Sequence, residues 1–286
     1  MIDFPAGLSA LSDRYDVVLC DVWGVIHNGV QSFPEACEAL TQWGTRVGPV
    51  VLISNAPRPS SDVVAQLDSL GVPRSAWSGF VTSGDATRAL LAERAPGKAW
   101  KIGPPRDETL YAGLDLEDGS CEDADFISST GLYDDETETP ELYRDRLAVA
   151  AQRGLTFICA NPDRVVQRGD RLIFCAGALA DLYESLGGKV IMAGKPFAPI
   201  YDLALAEAEK LTGKPVDRSR VLCIGDGVIT DVLGAQNQAL ACLFIAKGIH
   251  GEAAIGPDGR LDPEAVLGLL AAEKVGATHA VGDLVW

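Results

Sequence analysis

The chain has 286 residues, 47% of them hydrophobic and 22% charged, which excludes disorder as its main state and is long enough for a core domain carrying a smaller one. Forty Asp and Glu against 24 Lys and Arg leave a formal net charge of −16, a field that repels nucleic-acid backbones and anionic membrane surfaces. Nucleic acid and membrane are therefore not expected partners, and an anionic substrate would need a local site of metal, lysine and backbone N–H groups.

Short β-branched runs alternate with helical patterns along the chain, as in a parallel sheet with helices on both faces. The run Tyr15 to Cys20 ends on Asp21. Ser32 and Glu35 have capping-box spacing, with Pro34 in the first turn, and open a helix that includes Leu40 and Trp43. The run Val50 to Ile53 ends on Ser54-Asn55 and leads past Pro57 and Pro59 into a helix. Val63, Val64, Leu67 and Leu70 share one face of it, and Gly71 stops it.

From about residue 82 to 188 a second α/β stretch carries the strand-like runs Trp100 to Ile102, Asp125 to Ser128 and Leu155 to Cys159. A helix from about Pro140 to Arg153, closed by Gly154, separates the last two. The acidic segment Asp134-Asp135-Glu136-Thr137-Glu138 reads as a solvated turn. Val190 to Met192 then leads to Gly194-Lys195-Pro196, and Val221 to Ile224 to Gly225-Asp226-Gly227. The layout is a domain inserted into another, with the core at 1–81 and 189–286 and the insert at 82–188.

Seven cysteines without a Cys-x-x-Cys pair read as reduced core residues, and three histidines in no paired cluster give no sign of zinc. The start, Met1-Ile2-Asp3-Phe4-Pro5, has no basic region before an apolar stretch, and no apolar run reaches ~18 residues. A cytoplasmic location is expected. No Gly-x-Gly-x-x-Gly follows the first strand, which argues against a plain dinucleotide-binding domain.

Four apolar runs thus deliver polar residues at their carboxyl ends, where ligands bind in open α/β sheets, although turns after buried strands also call for polar residues. Asp21 is placed to attack phosphorus if a divalent cation neutralises the phosphate oxygens; its other reading is a turn or helix-capping Asp. Asp226 is a hard oxygen ligand for magnesium, and Asp231, five positions on, either joins the metal site or supports a helix N-terminus. Lys195 would neutralise both Asp21 and the phosphoryl oxygens, or else snorkel at the surface. Ser54 would donate its hydroxyl to a phosphate oxygen, helped by the N–H of Asn55.

These four segments resemble, in order, the four motifs of the haloacid dehalogenase-like hydrolase superfamily, nearest to its class IIA branch of NagD-like and para-nitrophenyl phosphatases. Asn161-Pro162-Asp163 resembles the branch's cap signature, and Cys175-Ala176-Gly177-Ala178 its cap loop. The resemblance implies an α/β fold: a Rossmann-like parallel-sheet core with an inserted α/β cap of the C2 type. It implies a magnesium-dependent phosphatase acting on a small phosphorylated metabolite through an aspartyl-phosphate on Asp21. Ser54 and Lys195 would hold the phosphate, Asp226 and Asp231 the Mg2+, and Asn161, Asp163 and Arg164 would lie near the specificity loop.

One position departs from the pattern. The family's phosphatases usually carry a second Asp, the general acid and base, two residues after the nucleophile, and here that residue is Trp23. Its backbone carbonyl still suits a metal ligand, whereas indole shuttles no proton. His27 is the nearest titratable replacement and a candidate substrate-binding residue; its other reading is a simple loop or helix-start histidine. Trp23 itself either stacks on substrate or packs beneath the cap. A weak or inactive member that binds a phosphorylated ligand is the second reading. A carbon–halogen or carbon–phosphorus cleaving enzyme is the third, disfavoured by the retained Asp226. A homodimer through the cap stays open.

Overall fold

The computed structural model describes residues 2–168, 171–249, 251–256 and 259–286. They form two compact units: Met1–Ser54, Val64–Val81 and Lys195–Trp286 make the first, and Asn55–Val63 with Thr82–Gly194 the second. Among the described residues no helix is long and apolar enough to cross a membrane.

The first unit is built on a six-stranded sheet in the order His279–Val281, Ala241–Ile245, Val221–Gly225, Val17–Asp21, Val50–Ser54, Gly79–Thr82. Val17–Asp21 lies at its centre, parallel to Val221–Gly225 and to Val50–Ser54, with Val18 opposite Leu222 on one side and Val50 on the other. All five of its residues are buried, which explains a continuous apolar run where a half-exposed strand would alternate. This register sets Asp21, Ser54 and Gly225 at one carboxyl edge of the sheet.

The helix Pro34–Arg46 packs Ala36, Cys37, Ala39, Leu40 and Trp43 inward. Its expected capping box does not form. Phe33 is the N-cap, no side chain caps the helix, and the Ser32 hydroxyl instead donates to the carbonyl of Gly71 at 3.1 Å. Pro34 explains the outcome, since it has no N–H to satisfy and presets the first helical turn.

The second unit holds a five-stranded parallel sheet in the order Lys189–Met192, Thr156–Cys159, Phe126–Ser129, Gly97–Ile102, Leu116–Asp118. Val165–Arg168 and Arg171–Phe174 form a separate antiparallel pair. Phe157, Tyr183, Tyr143 and Leu147 belong to its buried core. The helix expected over Pro140 to Arg153 is split into a 3-10 turn, Pro140–Tyr143, and an α-helix, Arg144–Gln152. Tyr143 anchors the turn: its hydroxyl accepts from the Tyr133 N–H at 2.8 Å and donates to Glu138 at 2.5 Å. The acidic segment is a turn with Asp134, Glu136 and Thr137 exposed, as expected, while the Asp135 side chain is largely covered and pairs with Arg106.

Candidate active site

Asp21 closes the central strand and stays buried, so a carboxylate stands where the sheet ends. Lys195 is 3% exposed, which rules out a snorkelling surface lysine. Its Nζ donates to Asp21 Oδ1 at 2.5 Å and to Asp231 Oδ1 at 2.7 Å. Asp21 is therefore neither a helix cap nor a turn residue but one arm of a buried Asp–Lys–Asp bridge.

Asp226 follows the strand Val221–Gly225, and its Oδ2 accepts from the Ile249 N–H at 2.7 Å. Asp231 lies in a π-helical turn, Val228–Val232, rather than one turn into a regular helix. That turn aims its side chain back over the loop, where Oδ2 accepts from the Gly227 N–H at 3.0 Å. Each of Asp21, Asp226 and Asp231 offers an oxygen within 4.8 Å of the others, and all three are buried.

Glycines make this approach possible. A Cβ on Gly24 or on Gly248 would collide with the Asp226 carboxylate, and one on Gly225 would collide with Asp231. Gly24 also has φ +83°, a conformation that side chains resist. Neither Gly24, Gly248 nor the Ile249 N–H stood out in the sequence. Gly24 follows Trp23 directly, a usable signal, whereas a backbone donor has none.

The electrostatics follow from burial. Asp226 is pushed up to about 6 by burial and then by the Asp231 charge, against the pull of the Ile249 N–H. Burial and the Asp231 and Asp226 charges hold Asp21 well above the usual carboxylate range, with Lys195 opposing. For Lys195 burial pulls the pKa down, but the attraction of Asp21 and Asp231 outweighs it and the amine stays charged. Three carboxylates around one ammonium leave a buried excess of two negative charges at full ionisation. Hard oxygen donors with that charge deficit fit a divalent cation.

Ser54, half-buried, ends the neighbouring strand Val50–Ser54. Trp23 is 52% exposed. His27, 3% exposed, is fixed in its loop: Nδ1 accepts from the Gly29 N–H at 3.0 Å, and the ring meets Trp23 edge to face at 5.4 Å. Burial lowers its pKa, and an acceptor Nδ1 requires the neutral ring. This anchors Nδ1 in the loop, as in the loop-histidine reading, and leaves the ring proton on Nε2.

The other expected residues belong to the second unit. Asn55 Nδ2 donates to Asp163 Oδ1 at 3.2 Å, and the Asp163 N–H donates to Asn161 Oδ1 at 3.1 Å. Arg164 points outward and pairs with Asp181.

A family model described as haloacid dehalogenase-like hydrolase matches residues 18–117, and a HAD-hydrolase-like model matches 192–272. A solved hydrolase of the haloacid dehalogenase-like family from Brucella suis 1330 is 46% identical, with a TM-score of 0.83 over 99% of this chain and 100% of that one. The 5'-nucleotidase YutF of Bacillus subtilis (strain 168) is 26% identical over 237 residues, 82% of this chain and 88% of its own. The ribonucleotide monophosphatase NagD of Escherichia coli (strain K12) is 26% identical over 238 residues, 81% of this chain and 88% of its own. With two flanking family matches and a near-full-length relative, the chain belongs to the haloacid dehalogenase-like hydrolases, on their class IIA, NagD-like branch.

Proposed function

We propose that the chain is a magnesium-dependent phosphatase that hydrolyses a small phosphorylated metabolite through an aspartyl-phosphate on Asp21. The observation that carries this reading is the buried Asp21–Lys195–Asp231 bridge with Asp226 beside it. Lys195 holds Asp21 Oδ1, which leaves Oδ2 as the oxygen for in-line attack on phosphorus. The P–O bond to the leaving group breaks as the bond to Asp21 forms, and water then releases phosphate and restores the carboxylate. The Lys195 ammonium and the Ser54 hydroxyl bind the phosphoryl oxygens. Asp231 keeps Lys195 charged and in place. Mg2+ would be held by Asp21, Asp226 and Asp231 with the Trp23 carbonyl, and when bound it supplies positive charge to the phosphate oxygens.

Within the second unit, the inserted cap of this proposal, the linked Asn55, Asp163 and Asn161 and the exposed Arg164 are assigned to substrate choice. The relatives support the substrate class, since YutF is a nucleotidase and NagD a ribonucleotide monophosphatase.

The test is turnover of para-nitrophenyl phosphate and a panel of phosphorylated metabolites, with and without magnesium, by wild type and Asp21→Asn. Magnesium-dependent turnover lost in the variant is expected; equal turnover by both proteins refutes the mechanism. The exposed Trp23 and the engaged His27 favour one second reading, a binder with little turnover. Ligand-induced thermal stabilisation without phosphate release would establish it.

A further inference from the structure

Trp23 is the large side chain that the proposed chemistry leaves unused. It stands two residues beyond Asp21, and the next residue, Gly24, abuts the Asp226 carboxylate. The indole is therefore carried by the short loop that runs between the candidate nucleophile and a candidate metal ligand.

That loop is closed and braced. The Gly24 N–H donates to the His27 carbonyl at 2.8 Å, and the Ile26 N–H to the Val22 carbonyl at 3.0 Å. The benzo edge of the indole lies on Gly29, where a Cβ would run into Cη2 and Cζ3. Gly29 has φ +83° and donates its N–H to His27 Nδ1, and the imidazole meets the indole edge to face with an interplanar angle of 85°. Val22, Val25 and Ile26 bury the rest of the loop. Trp23 nevertheless stays half exposed to solvent.

The contacts with Gly29 and His27 hold the indole in place, while the part of Trp23 left in water is apolar surface exposed at a cost to the free protein. Fixing an aromatic plane in advance lowers the entropy of stacking something flat on it. We propose that Trp23 is a specificity determinant of this site, a platform for the planar, conjugated leaving group of an aryl phosphate ester. The inference rests on the phosphatase reading and deepens it.

The same residue bears on the leaving step. Indole N–H is not an acid at physiological pH, so the loop offers the departing oxygen a surface and no proton from Trp23. As Asp21 Oδ2 bonds to phosphorus, the P–O bond breaks with its electron pair on the leaving oxygen. A conjugated leaving group carries that charge as a delocalised oxyanion. Water then adds to the aspartyl-phosphate, the phosphorus–Asp21 bond breaks back to the carboxylate, and both water protons leave with the phosphate as dihydrogen phosphate.

The experiment compares phenyl phosphate with an alkyl phosphate of similar size, in magnesium, for wild type, Trp23→Ala, Trp23→Leu and Trp23→Phe. The readout is the aryl-to-alkyl ratio of kcat/KM, which a general loss of loop structure would not move. Loss of a stacked ring is worth about tenfold. The ratio should fall about that far in the Ala and Leu variants, through KM, and recover in Phe. A ratio that stays within about twofold in Ala and Leu overturns the proposal. If wild type turns over neither ester and no member of the metabolite panel, the phosphatase reading fails by itself. Calorimetric binding of phenylphosphonate against methylphosphonate then decides: a preference lost in Trp23→Leu upholds the platform, and equal affinities overturn it.

Discussion

Asp226→Asn tests the buried charge excess directly. Asp226 is 2% exposed, and its pKa is raised from 3.8 to about 6 by burial and the Asp231 charge. With its folded-state pKa above the unfolded value, the folded chain holds the extra proton between the two. Stability without a divalent ion therefore falls as pH rises from 3.8 to about 6, and the loss persists above that window. At about 1.4 kcal/mol per pH unit the burden is on the order of 3 kcal/mol. Asparagine removes the charge, keeps an oxygen for the Ile249 N–H, and retains about 1 kcal/mol of amide desolvation cost. The net gain of about 2 kcal/mol corresponds to a rise in Tm of roughly 4 to 8 °C. Thermal unfolding followed by circular dichroism in chelator, from pH 4.5 to 8.5, reads it. The variant should be the more stable protein at pH 8, and the two curves should approach each other at the acid end. Added magnesium should raise the Tm of wild type only. A variant no more stable than wild type at pH 8 in chelator would show that the buried Asp226 charge does not burden the folded state.

Lys195→Ala leaves Asp21 and Asp231 buried without their cation, so it should abolish turnover and lower stability at pH 8 by about 3 kcal/mol; urea unfolding with an unchanged midpoint would contradict this. Gly248→Ala places a methyl against the Asp226 carboxylate and should remove magnesium-induced stabilisation, read as the Tm shift on titration, while an undiminished shift would exclude Asp226 from cation binding. His27→Ala should leave the shape of the pH–rate profile intact, because the neutral ring already accepts from the Gly29 N–H; loss of a profile limb would restore histidine as the proton donor. Asp16, whose hydrogen bonds to Arg220 lower its pKa, contributes stability that is full above the unfolded carboxylate pKa and is lost on acidification through the lower folded value. The pair is exposed, so Asp16→Asn should cost well under about 1 kcal/mol at pH 7 by urea unfolding.

Much of this is legible in the chain itself. Uninterrupted apolar runs ending on Asp21, Ser54 and Gly225-Asp226 announce parallel strands buried on both faces, since only such strands need no polar alternation. Motif order marks Lys195 as a partner of Asp21. The capping box at Ser32 and the unbroken helix from Pro140 fail because local spacing carries no knowledge of what lies nearby: Gly71 claims the serine hydroxyl, and Tyr143 is tied to Tyr133 and Glu138.

Local pattern thus determined the sheet and named its polar edge, because hydrophobic periodicity and strand-end position are properties of the chain alone. Tertiary structure decided the rest: that Asp231 turns back to share Lys195 with Asp21, that Gly24 and Gly248 make room for Asp226, that His27 Nδ1 accepts from Gly29, and that Asn55 bonds Asp163. These depend on burial and on contacts between residues far apart in sequence, and a charge's cost, a proton's position or a missing Cβ acquires meaning only once those neighbours meet.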